Sequence, residues 1–292
     1  MTRAMQMVAA AKLRRAQERA QAARPYAEKI AEVLARVAGT GASHPLFAVR
    51  SPARILYVVF TSDRGLAGAY NVNVVKRAAF EIARHPQSTA LLLPVGRRGR
   101  EYFRRRGMTI VAEHVPVGED ARVSMARAIA AQVQKFFEDG VCDQVQLVYT
   151  RYLSTSRQQV TVEQLLPVVA PGATAAAGAA ASAETGADEA ASGEPVGTGE
   201  LAGAGEHEYI FEPSVEAVLA GLVPAYLEAG VYHALLEAKA SEHAARMTAM
   251  ANATDNAGEM IDELTLEMNS IRQANITREI AEIVGGAEAQ NA

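Results

Sequence analysis

The two ends of this chain carry the same kind of pattern, and that pattern limits the fold more than any other feature. In residues 1–38, Leu13, Ala16, Ala20, Ala23, Ala27, Ile30, Leu34 and Val37 fall at alternating spacings of three and four. In the tail, Ala257, Ile261, Leu264, Met268 and Ile271 step by four, three, four and three, and Ile276, Ile280 and Ile283 resume after a slip. Such a repeat gathers apolar side chains into one narrow stripe on a helix, as in the seam of a coiled coil. Four of the eight seam positions in the first helix are Ala, so a partner helix can approach closely there. With an α/β pattern between them, the two ends predict an antiparallel coiled coil with a globular domain inserted: a rod more than a pocket.

Pro25 removes one backbone donor inside the first helix. The stripe keeps its phase across it, which predicts a kink rather than a break. Gly39, Gly41 and Pro45 end that helix. The second helical pattern runs from Pro213 nearly to Val284. Unbroken from Ser214, it would be about 105 Å long at 1.5 Å per residue, so much of it should protrude. Gly221, Pro224 and Gly230 predict a break near its start.

Between the ends, residues 54–60 form a continuous apolar run rich in β-branched and aromatic types, the mark of a buried strand. A turn at Ser62–Gly68 and a helix to about Arg84 follow. Next come a strand at Ala90–Val95, helices at about 97–106 and 120–138, and strands at Gln144–Tyr152 and Gln159–Leu166. Strands separated by helices predict a three-layer α/β domain with a mostly parallel sheet, its last two strands joined as an edge hairpin through Ser154-Thr155-Ser156. The fold class is therefore α/β, a Rossmann-like domain inserted in a coiled coil. The expected divisions are an N-terminal helix at 1–40, the α/β domain at 50–170, an insertion at 171–206, and a foot segment plus long helix at 207–292. The insertion is Ala, Gly, Ser, Thr and Glu with almost no large apolar residue, a composition that cannot offset its ordering entropy.

Composition excludes several function classes. Lys and Arg total 29 against 33 Asp and Glu, so the chain lacks the clear basic excess of a dedicated nucleic-acid binder. Residues 1–40 are locally basic, with eight basic and three acidic residues, while 171–212 holds eight acidic residues and no Lys or Arg. A single cysteine, Cys142, rules out an internal disulfide and makes a reducing compartment the default. The start lacks the pattern of a secretory signal, and no run reaches the ~18–20 apolar residues of a membrane span. Membrane association is thus expected only through partners.

No motif makes a convincing active site. Asp63-Arg64-Gly65-Leu66-Ala67-Gly68 lies between a strand and a helix, where a phosphate loop would sit. It lacks both G-x-G-x-x-G and G-K-[ST] spacing and reads better as a tight turn. An α/β nucleotide- or phosphate-binding enzyme with helical arms is nevertheless the alternative reading. The arginines at 97, 98, 100, 104, 105 and 106 read as a solvated helix face, which leaves a basic nucleic-acid binder as a third, weaker option. The six histidines show no metal-ligand spacing, and Glu259, Asp262, Glu263 and Glu267 read as solvated carboxylates. No cofactor or metal is expected.

Three stretches, in order, resemble the gamma subunit of F-type ATP synthases. They are Thr2-Arg3-Ala4-Met5-Gln6-Met7-Val8-Ala9-Ala10 with Lys12-Leu13-Arg14 and Arg24-Pro25-Tyr26; Ser62-Asp63-Arg64-Gly65-Leu66-Ala67-Gly68; and Ala253-Thr254-Asp255-Asn256-Ala257 with Arg272-Gln273-Ala274-Asn275-Ile276-Thr277. Gln164-Leu165-Leu166-Pro167 and Tyr209-Ile210-Phe211-Glu212-Pro213 are similar to the family as well. The resemblance implies a non-catalytic central rotor stalk, one copy per complex. Its partners would be the α and β subunits of the catalytic head, the ε subunit and the c-ring, at the cytoplasmic face of the membrane. It further implies β-subunit contacts at Met5, Arg64, Arg272, Gln273 and Thr277, and c-ring contacts at Tyr209, Phe211 and Glu212. In two places the chain departs from the family pattern. The family carries a further, partly basic stretch before the Thr-Lys/Arg-Ala-Met run, so the upper coiled coil is expected either to lack part of one strand or to begin upstream of Met1. The family also usually has a shorter polar loop where 171–205 stands.

Overall fold

A computed structural model describes residues 1–39, 44–168 and 214–291. Two helices frame it: α1, Thr2–Gly39, and α5, Val215–Asn291, which is 77 residues long. At 1.5 Å per residue α5 extends about 115 Å. The two run in opposite directions. Thr2 Oγ1 lies 2.7 Å from Thr254 Oγ1 at one end. Leu13 and Ala16 pack with Ala240 and Ala244 in the middle, and Leu34 and Val37 share a cluster with Leu219 and Val223 at the other end. The stripe read from the sequence is the buried face of α1: Leu13, Ala16, Ile30, Leu34 and Val37 are buried, and Ala20, Ala23 and Ala27 are half-buried. Both helices pass through their prolines without interruption. No break falls at Pro25, where a kink rather than a break is expected, and the unbroken α5 corrects the break expected near Gly221, Pro224 and Gly230. An interior proline costs a helix about 3 kcal/mol. Flanking Pro224, Val223 and Leu227 are fully buried in the domain core, and two such side chains contribute about 3–6 kcal/mol by leaving water, enough to hold the helix together.

The inserted domain is a four-stranded sheet with β1 at Arg54–Phe60, β2 at Thr89–Val95, β3 at Gln144–Tyr152 and β4 at Gln158–Leu166. Their spatial order is β2-β1-β3-β4. β1 is parallel to both β2 and β3, and β4 returns antiparallel to β3 as an edge hairpin. The period-2 alternation of strand side chains feeds two cores. One face of the sheet presents Leu56, Val58, Phe60, Leu93, Leu147 and Tyr149 to α5, the end of α1 and helix α4, Val123–Glu138. The other presents Ile55, Tyr57, Val59, Leu92 and Val148 to helix α2, Tyr70–Arg84, and to Phe103 of helix α3, Arg97–Arg105. Burial on both faces explains why these strands read as unbroken apolar runs.

Thr2 lies opposite Thr254, and from Asp255 onward the side chains of α5 are almost all exposed among the described residues. Its seam residues are exposed: Ile261 is 63%, Leu264 57%, Met268 58% and Ile271 54% accessible. The tail seam predicted from the sequence is present as a pattern, and among the described residues it is exposed. α5 also contains an 18-residue stretch of mean hydropathy 1.3, enough by length and composition alone to cross a membrane. This corrects the expectation that no such run occurs. Residues 171–206 and the foot residues Tyr209, Phe211 and Glu212 lie outside the described residues.

Candidate functional site

The turn after β1 is built around Asp63. Its Oδ1 accepts from the Arg97 N–H at 3.1 Å, and its Oδ2 accepts from Val117 at 2.8 Å and Gly118 at 3.0 Å. Ser62 N–H donates to Asn71 Oδ1 at 2.9 Å, and Ser62 Oγ donates to the Arg64 carbonyl at 2.6 Å. The N-terminus of α3 lies against this turn. At Gly96, where φ is 109°, a Cβ would stand 2.1 Å from the Thr61 carbonyl oxygen, so no other residue fits. The N–H groups that Asp63 takes belong to the start of α3 and to residues 117–118 rather than to the 64–68 turn itself, and its carboxylate would repel an anion placed beside it. Asp63→Ala should leave three donors without their acceptor and lower stability by about 2 kcal/mol, read from urea unfolding monitored by circular dichroism.

This rigid turn forms one wall of a groove of about 500 Å³. Met5 and Val8 of α1, together with Arg64 and Leu66 of the turn, line its mouth, and α5 forms its floor. Leu66 holds a left-handed backbone, φ 63°, and its side chain is exposed. That conformation is uncommon for a side chain of this kind. Arg64 is largely exposed, 3.8 Å from Glu119, and Lys12 of α1 bridges to the same Glu119. The Lys12 hydrogen bond and charge hold the Glu119 carboxyl below its ordinary range.

The floor of the groove is ionic and buried. Lys239 Nζ is 2.9 Å from Glu242 Oε2, and Arg246 Nη2 is 2.9 Å from Glu242 Oε1. Lys239 also donates to the Gly118 carbonyl at 2.7 Å, which ties α5 to the loop that Asp63 holds. Nearby, the Tyr152 N–H donates to Glu237 at 2.7 Å, and Ser241 donates to the Thr150 carbonyl at 3.0 Å. Burial pushes the Glu242 carboxyl up, but Lys239 and Arg246 outweigh it and hold its pKa below the ordinary value. Burial pushes the His243 imidazole down, against the opposing pull of Glu242, so this ring is neutral at pH 7. Lys239, Glu242, His243 and Arg246 were not singled out from the sequence. The readable signal was opposite charges at i, i+3 and i+7 in a stretch otherwise made of Ala, Ser and His, which on a packed helix form one buried line.

Among the residues singled out from the sequence, Met5 and Arg64 come together at the mouth of this groove. Arg272, Gln273 and Thr277 lie elsewhere, on the unpartnered part of α5, and all three are exposed. Twenty-six residues separate Arg272 from Arg246, roughly 40 Å along the axis. Gln273 and Thr277, four apart, share one face.

A family model described as ATP synthase matches residues 1–290. Among curated proteins, the ATP synthase gamma chain of Heliobacterium modesticaldum is 47% identical over 290 residues, covering 99% of this chain and 92% of its own length. The gamma chain of Pelotomaculum thermopropionicum is 45% identical with the same coverage. Among solved structures, a chain of the Tetrahymena thermophila mitochondrial ATP synthase central stalk and c-ring superposes with a TM-score of 0.58 at 26% identity, covering 87% of this chain and 99% of that one. A chain from the Euglena gracilis mitochondrial enzyme superposes at 0.55 with 18% identity, covering 96% and 95%, and supports the fold alone. Matched from end to end and nearly half identical to such relatives, this chain belongs to the ATP synthase gamma-chain family.

Proposed function

We propose that this chain is the non-catalytic central rotor stalk of a bacterial F-type ATP synthase, coupling proton-driven rotation of the c-ring to conformational cycling of the catalytic β subunits. The observation that carries this reading is the end-to-end match to ATP synthase gamma chains at 45–47% identity. The upper part of α5 also carries a stripe of Ile, Leu and Met that is exposed among the described residues. Burying each such side chain contributes about 1.5–3 kcal/mol, so the stripe calls for packing partners, and in this reading the shaft is enclosed by the α and β subunits. A helix enclosed in that way presents a different face to each neighbour as it turns. Each face favours a different β conformation, which is population shift by contact.

In this reading α1 and the lower part of α5 form an antiparallel coiled coil, and the Rossmann-like sheet domain braces it. The divisions at 1–40, 50–170, 171–206 and 207–292 are then coil, domain, insertion, and foot with shaft. Met5 and Arg64 meet a β subunit at the groove mouth. Arg272, Gln273 and Thr277 meet one near the top, where the Arg272 guanidinium is suited to a carboxylate. Tyr209, Phe211 and Glu212 meet the c-ring, with ε beside them. The protein then works at the cytoplasmic face of the membrane, attached through the c-ring. The Asp63 carboxylate in the strand-to-helix turn disfavours the nucleotide-binding alternative.

Reconstitution tests the reading. The α and β subunits alone should show little sustained ATPase activity, and adding this chain should restore it several-fold. No gain on addition, or tight nucleotide binding by the isolated chain, would count decisively against it.

A further inference from the structure

We infer that a groove of about 490 Å³ beside the carboxyl end of β3 is a binding site for a small tetrahedral oxyanion of the phosphate and sulfate class. The first turn of α2, the β3–β4 hairpin and residues 245–252 of α5 line it. Three independent observations meet there. The first is the open end of α2. The first N–H groups of a helix have no partner within it and carry a partial positive charge. At α2 the capping position is Ala69, and no side chain caps the helix. The second is Thr150, which is 3% exposed and lies in the lining. Its Oγ1 is buried and has no hydrogen-bond partner among the described residues. Tyr149 faces α5 and Val148 faces α2, so by alternation Thr150 also faces α2. A buried hydroxyl left unpaired is costly, and a bound acceptor would satisfy it.

The third is topology. From β1 the chain crosses by α2 to β2 on one side, then returns by α4, on the opposite face, to β3 on the other side of β1. The crossovers diverge between β1 and β3, and open α/β sheets bind ligands at the carboxyl ends of strands at such a point. The chemistry of the lining selects the ligand. Among the residues that line the groove there is no Asp, Glu, Lys or Arg. Thr150, Thr248, Asn73 and Asn252 offer hydroxyl and amide donors. A cation finds no carboxylate there, whereas an oxyanion accepts from neutral donors and from a helix N-terminus. Asp63, whose charge would repel it, is not in the lining. Tyr70, the aromatic residue in the lining, is buried, so a nucleotide base has no exposed ring to stack on. The site belongs to the chain alone and does not depend on the proposed rotary role.

Calorimetric titration of the full chain with sodium phosphate, with chloride holding the ionic strength constant, tests it. The expected result is saturable one-to-one binding with a Kd of about 1 mM or tighter, and competition by sulfate. Thr150→Val keeps the shape of the side chain and should weaken binding about tenfold or more, the scale for losing a hydrogen bond to a charged group. Asn73 is exposed in the first turn of α2, where an acidic residue favours the helix. Asn73→Asp should therefore keep the fold, checked by circular dichroism, and abolish binding by repulsion. No saturable heat from phosphate would overturn the proposal. So would binding that both variants leave unchanged, or ADP binding more than about tenfold tighter than phosphate, which would mark a nucleotide site instead.

Discussion

Glu242→Ala is expected to lower the unfolding free energy of the chain by about 3–5 kcal/mol, with a fall in melting temperature of roughly 10 °C. The substitution leaves Lys239 and Arg246 facing each other across a vacated site, and all three side chains are largely buried. Two buried cations without their shared anion face both desolvation and mutual repulsion. Combining Lys239→Met, Glu242→Leu and Arg246→Met in one chain should recover most of the loss, because a buried ion cluster and an apolar patch of equal volume are often close in stability. Urea unfolding of the parent, the single variant and the triple variant measures both effects. A cost below about 1 kcal/mol for Glu242→Ala would mean that water reaches the cluster and screens it, as at an exposed ion pair.

Acid should act through the same residues. The folded-state pKa of Glu242 lies below its unfolded value, so its stabilisation is fully present above the ordinary carboxylate range and is lost as pH falls through the folded value. His243 is also lowered from 6.5. Unfolding then takes up a proton once pH drops below that value, and stability begins to decline there. The two contributions have the same sign: a first loss below about pH 6.5 and a further loss below about pH 4.5. Replacing His243 should shrink the first step and leave the remainder to His44, which burial lowers in the same way.

The second large effect is expected far from that cluster. Arg272→Glu and Gln273→Glu should each cut coupled ATP synthesis about tenfold or more in the assembled enzyme, the scale for disrupting a desolvated interfacial polar contact. The isolated chain should lose no more than about 0.5 kcal/mol, as for other exposed sites. Comparing synthesis in reconstituted vesicles with unfolding of the free subunit separates the two quantities. Parallel loss in both would mean that these positions serve only the helix, and the assigned β contacts would fall.

The strands and helices of the middle domain were legible because their patterns are local. Arg54–Phe60 reads as a two-faced buried strand from seven letters, and the Ser154–Ser156 hairpin follows from its neighbours. The stripe on α1 was legible for the same reason, since a helix buries what lies at spacings of three and four. Pro224 was misread because propensity is local, while its answer, Val223 and Leu227 locked into the sheet core, lies across the fold. The site divides along the same line. Met5 and Arg64 could be named from the family motif, but their meeting in one groove depends on α1 lying antiparallel to α5.

The sequence by itself determined which faces are apolar, where the elements lie and to which family the chain belongs, because periodicity and motif survive without neighbours. Only the tertiary structure decided that α1 lies antiparallel along α5, that Asp63 ties its turn to the start of α3 and to residues 117–118, and that Lys239, Glu242 and Arg246 form one buried cluster. Each of these depends on which atoms from distant parts of the chain come within a few ångströms, and desolvation and pairing energies exist only at that range.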